Sequence, residues 1–229
     1  MPQPHLSDAY CDAYSRINAL VIVGEGLADS HFRLLAGLLP EDRDDLLRLA
    51  AMEGHHARDF SGCGRQLGIR PDLPLARRLF SPLHRLFREA VRSGDRVSAL
   101  VIQCLIVESF AVAAYRCYQP VADPFAAPII ESVLTDEAEH LEYGGRWLAA
   151  WFPEVAAPIA ACCERALPIV LAMLQSVRDD LTAIGIDPTD LVGEFVACFQ
   201  AAIETVGFPP SQARALVARL AGRAAQAAA

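Results

Sequence analysis

Thr135-Asp136-Glu137-Ala138-Glu139-His140 lies inside a run that otherwise reads as helix, and Glu137 and His140 stand three residues apart within it. Three residues is close to one helical turn, so that carboxylate and that imidazole share a face and can grip one metal ion. A second copy lies upstream, Glu53-Gly-His-His56. Each copy is preceded by a lone Glu in an apolar helical run: Glu25 in Leu20-Val-Ile-Val-Gly-Glu-Gly-Leu27, and Glu108 in Leu100-Val-Ile-Gln-Cys-Leu-Ile-Val-Glu108. Glu25 stands 28 residues before Glu53, and Glu108 stands 29 residues before Glu137.

With 13 Glu and 6 His in 229 residues, chance alone yields roughly 0.3 matches to Glu-x-x-His, so one match would decide nothing. Two matches, each with a matched upstream Glu, call for a cause. The plain alternative is surface glutamates on ordinary amphipathic helices with two stray histidines. It fails for Glu25 and Glu108, because a carboxylate amid aliphatic residues is rarely buried unless it is paired or bound to metal. The order Glu, Glu-x-x-His, Glu, Glu-x-x-His is that of a ferritin-like di-metal carboxylate bundle, in which two helices give one Glu each and two give Glu-x-x-His. The expected fold is therefore all-α, a ferritin-like bundle of four ligand-bearing helices with additional crossover and C-terminal helices. Its candidate metal ligands are Glu25, Glu53, His56, Glu108, Glu137 and His140.

The helices can be placed from their punctuation. Ser7-Asp8 caps a helix to about Leu39, stopped by Pro40, with Tyr14, Ile17, Val21, Glu25, Ala28 and Phe32 on its buried stripe. A second runs from Pro40-Glu41-Asp42 to about Leu67 and ends at Gly68. Leu75 to Arg92 reads as an amphipathic connector that crosses the bundle. The third ligand helix opens at Asp95 or Ser98 and reaches Tyr118; the fourth opens at Asp123-Pro124 and reaches about Trp151. On the fourth, Ile129, Val133, Glu137, His140, Leu141 and Gly144 follow the core stripe. Three more helical runs follow, about Pro153 to Ile184, Pro188 to Val206, and Pro210 into an Ala-rich tail. A minimal iron-storage bundle has no need of that extension, whereas an enzyme that encloses an apolar substrate could use one. One domain over residues 1–229 is expected, with 1–7 and about 222–229 loose.

The formal charge of −8 and pI near 5.2 argue against nucleic acid as partner, since phosphate binding needs a basic patch. No charged segment followed by an apolar one opens the chain, so a cytoplasmic location is expected. Val97 to Tyr115 is apolar enough to tempt as a membrane span but carries Gln103 and Glu108, which suits a buried ligand helix better. The seven cysteines show no Cys-x-x-Cys pair, which fits reduced thiols and removes a rubredoxin-type iron centre.

Four carboxylates carry as much negative charge as two ferrous ions carry positive charge, so four Glu with two neutral His balance a reduced di-iron site. This mix of nitrogen and oxygen donors suits iron or manganese, and the lack of thiolate ligands counts against structural zinc. Spacing alone leaves oxygenase, desaturase, radical generator, ferroxidase and catalase all open.

Longer stretches narrow that choice. Asp12-Ala-Tyr-Ser-Arg-Ile-Asn-Ala19 and Pro120-Val-Ala-Asp-Pro-Phe-Ala126 are the most specific. Between and beyond them stand Met52-Glu53 with His56, Phe60, Cys63-Gly64, Leu105-Ile-Val-Glu108, Ala111 to Tyr115, Asp136-Glu137, His140, Tyr143-Gly144, Glu194-Phe195 and Gly207-Phe208. Over about residues 8 to 210 the chain resembles the cyanobacterial aldehyde-deformylating oxygenases, also called aldehyde decarbonylases.

That resemblance implies a soluble enzyme that cuts a long-chain fatty aldehyde to an alkane one carbon shorter plus formate, using dioxygen and electrons from a ferredoxin-type donor. An acyl reductase would supply the aldehyde, and the cofactor would be two iron ions, with manganese an alternative occupant of one position. It makes Glu25, Glu53, His56, Glu108, Glu137 and His140 the iron ligands, and places Gln103, Tyr115 and Asp136 around the metals as catalytic candidates. Glu53 and His56 would serve mainly one iron, Glu137 and His140 the other, with Glu25 and Glu108 terminal or bridging. Tyr115 reads equally as a core tyrosine, and Gln103 needs a partner in so apolar a run. The chain departs from the family pattern at Gly26-Leu27, His55, Ala138-Glu139 and Glu142; the family has Arg at the position of His55, where it would pair with Asp136. Two other readings stay open here: a di-iron oxygenase acting on an amine or a different carbonyl, and a ferroxidase or iron-binding protein of the bacterioferritin kind.

Overall fold

Four short polar side chains set where helices begin. Ser7 Oγ accepts from the Tyr10 amide at 3.2 Å, Asp72 Oδ1 from Leu75 at 3.1 Å, Asp95 Oδ1 from Ser98 at 2.9 Å and Asp187 Oδ1 from Thr189 at 2.7 Å. Each such cap is worth about 1 kcal/mol, because it satisfies an amide that the helix itself leaves open. They open α1 (Asp8–Leu38), α3 (Leu73–Ser93), α4 (Arg96–Leu100) and α9 (Pro188–Val206). Between α1 and α3 runs α2 (Arg43–Leu67), entered through a 3₁₀ turn at Pro40–Asp42 and closed by Gly68 at φ 70°, a left-handed conformation that suits glycine. This computed structural model describes residues 6–227, and among them every regular element is helical.

The third ligand helix departs from the regular helix that its sequence predicts. After α4, residues Val101–Val107 wind as a π-helix, and α5 (Glu108–Tyr118) resumes the α form. Residues five apart lie about 140° apart round an α-helix but stack one above the other in a π turn, whose hydrogen bonds run between such residues. Gln103 thereby comes over Glu108, and its Nε2 donates to Glu108 Oε1 at 2.7 Å.

The fourth ligand helix, α6 (Ala126–Trp151), starts a little later than Asp123-Pro124, because Asp123 Oδ1 accepts from the Phe125 and Ala126 amides and acts ahead of the helix. Its fully buried stripe passes through Ile130, Val133, Glu137, His140, Tyr143 and Gly144; Ile129 and Leu141, expected on that stripe, are half-buried at its sides. At Gly144 the helix meets the π segment, where an added Cβ would fall 2.1 Å from Cys104 Cβ. Only glycine permits that approach.

Beyond α6 the expected run from Pro153 to Ile184 is two helices, α7 (Ala156–Ser176) and α8 (Arg178–Ala183), broken at Val177; α10 (Pro210–Ala227) follows α9. Of the ends expected to be loose, residues 1–5 and 228–229 lie outside the described residues, while Ser7 caps α1 and α10 extends to Ala227. Helices α1, α2, α5 and α6 form the central bundle; α3 lies on α1, α7 against α3 and the π segment, α8 on α1, and α9 on α5 and α6.

Two helical stretches, Arg96–Val121 and Ala156–Ser176, are long and apolar enough to cross a membrane by composition. The first turns Glu108 and Gln103 into the protein core, and the second buries Ile159, Cys163, Ala166 and Val170 there, as helices of a packed bundle do.

Candidate metal centre

Glu25 comes from α1, Glu53 and His56 from α2, Glu108 from α5, and Glu137 and His140 from α6; every one is at least 96% removed from solvent, the most exposed being Glu25 at 4%. Their donor atoms converge in two groups: Glu25, Glu53, His56 and Glu137 form one, and Glu53, Glu108, Glu137 and His140 the other. Glu53 and Glu137 belong to both. Glu53 turns Oε2 to His56 Nδ1 at 3.4 Å and Oε1 to His140 Nδ1 at 3.0 Å; Glu137 turns Oε1 to His56 Nδ1 at 3.7 Å and Oε2 to His140 Nδ1 at 3.3 Å. Glu25 and Glu108 each face one histidine, at 3.4 and 3.9 Å. Glu25 and Glu108 thus each belong to one group, while Glu53 and Glu137 span both.

The donor set fits metal on its own geometry. Two donors each about 2.1 Å from one ion stand roughly 3.0–3.4 Å apart at octahedral to tetrahedral angles, the range most of these contacts fall in. Both Glu53 oxygens, Glu137 Oε1 and His56 Nδ1 are buried without a hydrogen-bond partner, which is costly for groups that no cation satisfies.

The electrostatics agree. Burial, and then the neighbouring carboxylates, push the Glu25 and Glu137 carboxyls well above the usual range. Burial opposes a charge on His56, yet Glu25 and Glu53 outweigh it and hold its pKa up at about 11; His140 is driven upward by Glu108, Glu137 and Glu53 in the same way. So many buried carboxylates demand positive charge, and divalent cations compete with protons for these positions.

Three residues singled out from the sequence each touch one of these six. The Tyr115 hydroxyl donates to Glu25 Oε1 and its ring stacks on Phe60, centroids 5.2 Å apart; Gln103 donates to Glu108; Asp136 Oδ2 lies 3.0 Å from His56 Nε2. Asp136 therefore holds the far nitrogen of His56 and leaves Nδ1 for the cluster. His55 does not stand in for the family's arginine beside Asp136. It points outward and pairs with Asp59 at 3.4 Å, because one step along a helix turns a side chain about 100° away from His56.

Sequence reasoning missed two histidines. His31 Nδ1 lies 2.6 Å from Gln103 Oε1, and His31 Nε2 lies 2.9 Å from His84 Nδ1. The available signal was the position of His31 next to Phe32 on the buried side of α1, since a buried imidazole needs partners.

An apolar cavity opens from the carboxylates. Glu25, Glu53 and Glu108 stand at one part of its wall with Tyr115; Val21 and Ile17 of α1, Phe80 and Leu83 of α3, and Ala111 and Ala114 of α5 continue it. Its remainder is closed by Met173 and Leu174 of α7, by Val177, by Leu181 of α8, by Ile186 ahead of α9 and by Leu191 of α9. Ile17 and Val21, expected on the buried stripe of α1, are half-buried and line this space. The C-terminal helices thus help to enclose apolar space next to the cluster.

Fold and cluster together define a ferritin-like helical enzyme with a carboxylate and histidine centre beside an apolar chamber. The model of the long-chain fatty aldehyde decarbonylase family matches residues 7–224, and the chain belongs to that family. A solved structure described as protein 19 with aldehyde deformylating oxidase activity, from Synechococcus, is 55% identical and superposes with a TM-score of 0.93 over 93% of this chain and 98% of that one. The chain is accordingly an enzyme of the aldehyde decarbonylase class, acting from aldehyde to alkane.

Proposed function

We propose that the chain cleaves a long-chain fatty aldehyde to the alkane one carbon shorter plus formate, consuming dioxygen and external electrons at two iron ions. Glu25, Glu53, His56 and Glu137 would hold one ion, and Glu53, Glu108, Glu137 and His140 the other, with manganese an alternative occupant of one position. Iron bound there supplies the one-electron and oxygen chemistry. The observation that carries the substrate class is the chamber, whose wall is aliphatic and aromatic except where the glutamates and a few amide and phenol groups meet it. An alkyl tail gains roughly 0.8 kcal/mol for each methylene it takes out of water, so a tail of many carbons settles in the chamber and an ion does not.

Tyr115, Gln103 and Asp136 act by holding ligands: Tyr115 fixes Glu25, Gln103 fixes Glu108, and Asp136 sets the tautomer and tilt of His56. Tyr115 also lines the chamber and meets substrate there. The departures from the family pattern leave the chamber wall unchanged, because Gly26, His55, Ala138, Glu139 and Glu142 are all exposed, Leu27 is half-buried, and none lines the chamber. The ferroxidase reading leaves the chamber without a use.

We place this activity in the cytoplasm, in a single domain, with a ferredoxin-type protein as reductant and an acyl reductase as source of aldehyde. Anaerobic loading with ferrous iron, followed by dioxygen, a reducing system and octadecanal labelled with ¹³C at the aldehyde carbon, tests the reading. Alkane and labelled formate in equal amounts, abolished by His140→Ala, are the expected result. Two bound irons with oxygen uptake and no formate would overturn the substrate assignment.

A further inference from the structure

We propose that the exposed arginine face of α3 is the docking surface for a small acidic protein that carries electrons to the metal centre. The inference rests on the reaction proposed above. Cleavage of an aldehyde to alkane and formate with dioxygen takes up four electrons and three protons and releases one water, so electrons must arrive from outside. Each productive encounter oxidises the carrier by one electron and reduces the centre by one.

The chain carries a formal charge of −8 and contains no lysine; all 20 of its Lys-plus-Arg total are arginines. Five of them, Arg77, Arg78, Arg85, Arg88 and Arg92, lie on α3 and are exposed. At 100° per residue they fall within an arc of about 100° on one side of the helix, opposite the buried Ala76, Leu83, Phe87 and Ala90. None is in an ion pair with a carboxylate among the described residues, whereas Arg16, Arg33, Arg48, Arg96, Arg116, Arg146 and Arg165 all are. The one acid of α3 itself, Glu89, borders this arc and is met by Arg165 of α7 at 3.5 Å. A concentrated cationic face on an acidic protein steers an anionic partner and repels few cationic ones, and electron-transfer encounters are small, transient and guided mainly by charge.

A second observation ties this face to the centre. His84, half-buried at its edge beside Arg88, begins an unbroken hydrogen-bonded chain inward: His84 to His31 at 2.9 Å, His31 to Gln103 at 2.6 Å, and Gln103 to Glu108 at 2.7 Å. A carrier seated over α3 is therefore joined to a proposed iron ligand through three contacts. An anionic membrane is the weaker match for the same charges, because the apolar side of α3 is spent on the protein core and the exposed large hydrophobics among the described residues, Val121 and Phe125, do not lie on α3.

The test compares the iron-loaded wild-type enzyme with Arg77→Glu/Arg85→Glu and with Arg43→Glu on α2 as control. Alkane formation is driven either by a [2Fe–2S] ferredoxin with its reductase and NADPH, or by phenazine methosulfate with NADH. The expected result is a fall of about tenfold or more in kcat/KM for ferredoxin in the double variant, with a flatter dependence on salt. Turnover with the small mediator stays within about twofold, and the control resembles wild type. Unchanged ferredoxin kinetics, or equal losses with both reductants, would overturn the proposal. So would unchanged ferredoxin kinetics accompanied by lost binding to phosphatidylglycerol vesicles, which would give the face to lipid. If wild type makes no alkane with either reductant, the reaction assignment fails by itself. Ferredoxin affinity measured by calorimetry, weakened by the double variant alone, still supports docking, and equal affinity for all three proteins refutes it.

Discussion

Gln103 and His31 meet at 2.6 Å, and this contact fixes the direction of the whole chain that reaches Glu108. Glu108 as a carboxylate only accepts, so Gln103 spends Nε2 on it and turns Oε1 to His31. His31 must then carry its proton on Nδ1 and accept on Nε2 from His84. Phe87 stacks on the His31 ring with centroids 3.7 Å apart and holds it in plane. Successive donations polarise one another, so the outer members bear on Glu108 through the inner one.

Gln103→Leu keeps most of the volume and removes both ends of the inner link. His31 Nδ1 is then buried without an acceptor and Glu108 loses its donor. The expected cost is about 1–3 kcal/mol of stability in urea denaturation. Alkane formation falls by a larger factor than iron content, because Glu108 remains in place as a donor but loses its fixed orientation.

His31 also predicts a pH dependence. Burial, only partly offset by Gln103, holds its pKa down at about 3 from an ordinary 6.5. Between those values the unfolded chain takes up a proton that the folded chain refuses, so stability is full above pH 6.5 and falls as pH drops through this window. The slope approaches about 1.4 kcal/mol per pH unit for one proton. Urea denaturation of iron-stripped wild type and His31→Asn from pH 7 to pH 4.5 measures the difference. The expected outcome is a steeper loss in wild type, and parallel curves would refute the assignment to His31.

The convergence of the candidate ligands was legible in the sequence because part of its signal is local: Glu53 with His56, and Glu137 with His140, are each one turn of the same helix. Helix ends were legible for the same reason, as at Ser7 and Gly68. The π segment was not, since Val101 to Val107 is as apolar as an α-helical core run and its extra residue per turn leaves no mark in hydrophobic periodicity. Nor were the partners of Gln103, because His31 and His84 come from α1 and α3 and meet only through tertiary packing. That Glu53 and Glu137 belong to both donor groups likewise depends on the relative placement of four helices, which spacing does not encode.

The chamber predicts a dependence on chain length. Val177 stands between α7 and α8, is 3% exposed and lines the part of the wall built by the C-terminal helices. Val177→Phe places added volume in that space, where it displaces substrate and spares the ligands. Octadecanal turnover is expected to lose about tenfold or more in kcat/KM, equivalent to about 1.4 kcal/mol of tail burial, while a short aldehyde such as heptanal changes by less than about threefold. Equal losses for both aldehydes would mean that the tail does not reach this wall.

The two overlapping donor groups make different ligands unequal in a measurable way. Glu137 offers one oxygen to each group, so Glu137→Ala removes a donor from both, and it also leaves Glu53 as the only carboxylate common to them. Glu108 and His140 belong to one group only, as Glu25 and His56 belong to the other. After anaerobic loading and desalting, iron analysis is therefore expected to show Glu137→Ala with little iron at either position. Glu108→Ala and Glu25→Ala should each retain about one ion per chain, held by the four donors of the intact group, the two shared carboxylates among them. A Glu137→Ala protein that kept one full ion would contradict the bridging assignment. A Glu108→Ala protein that lost both would show that the two positions fill only together, so that loading one creates the affinity of the other.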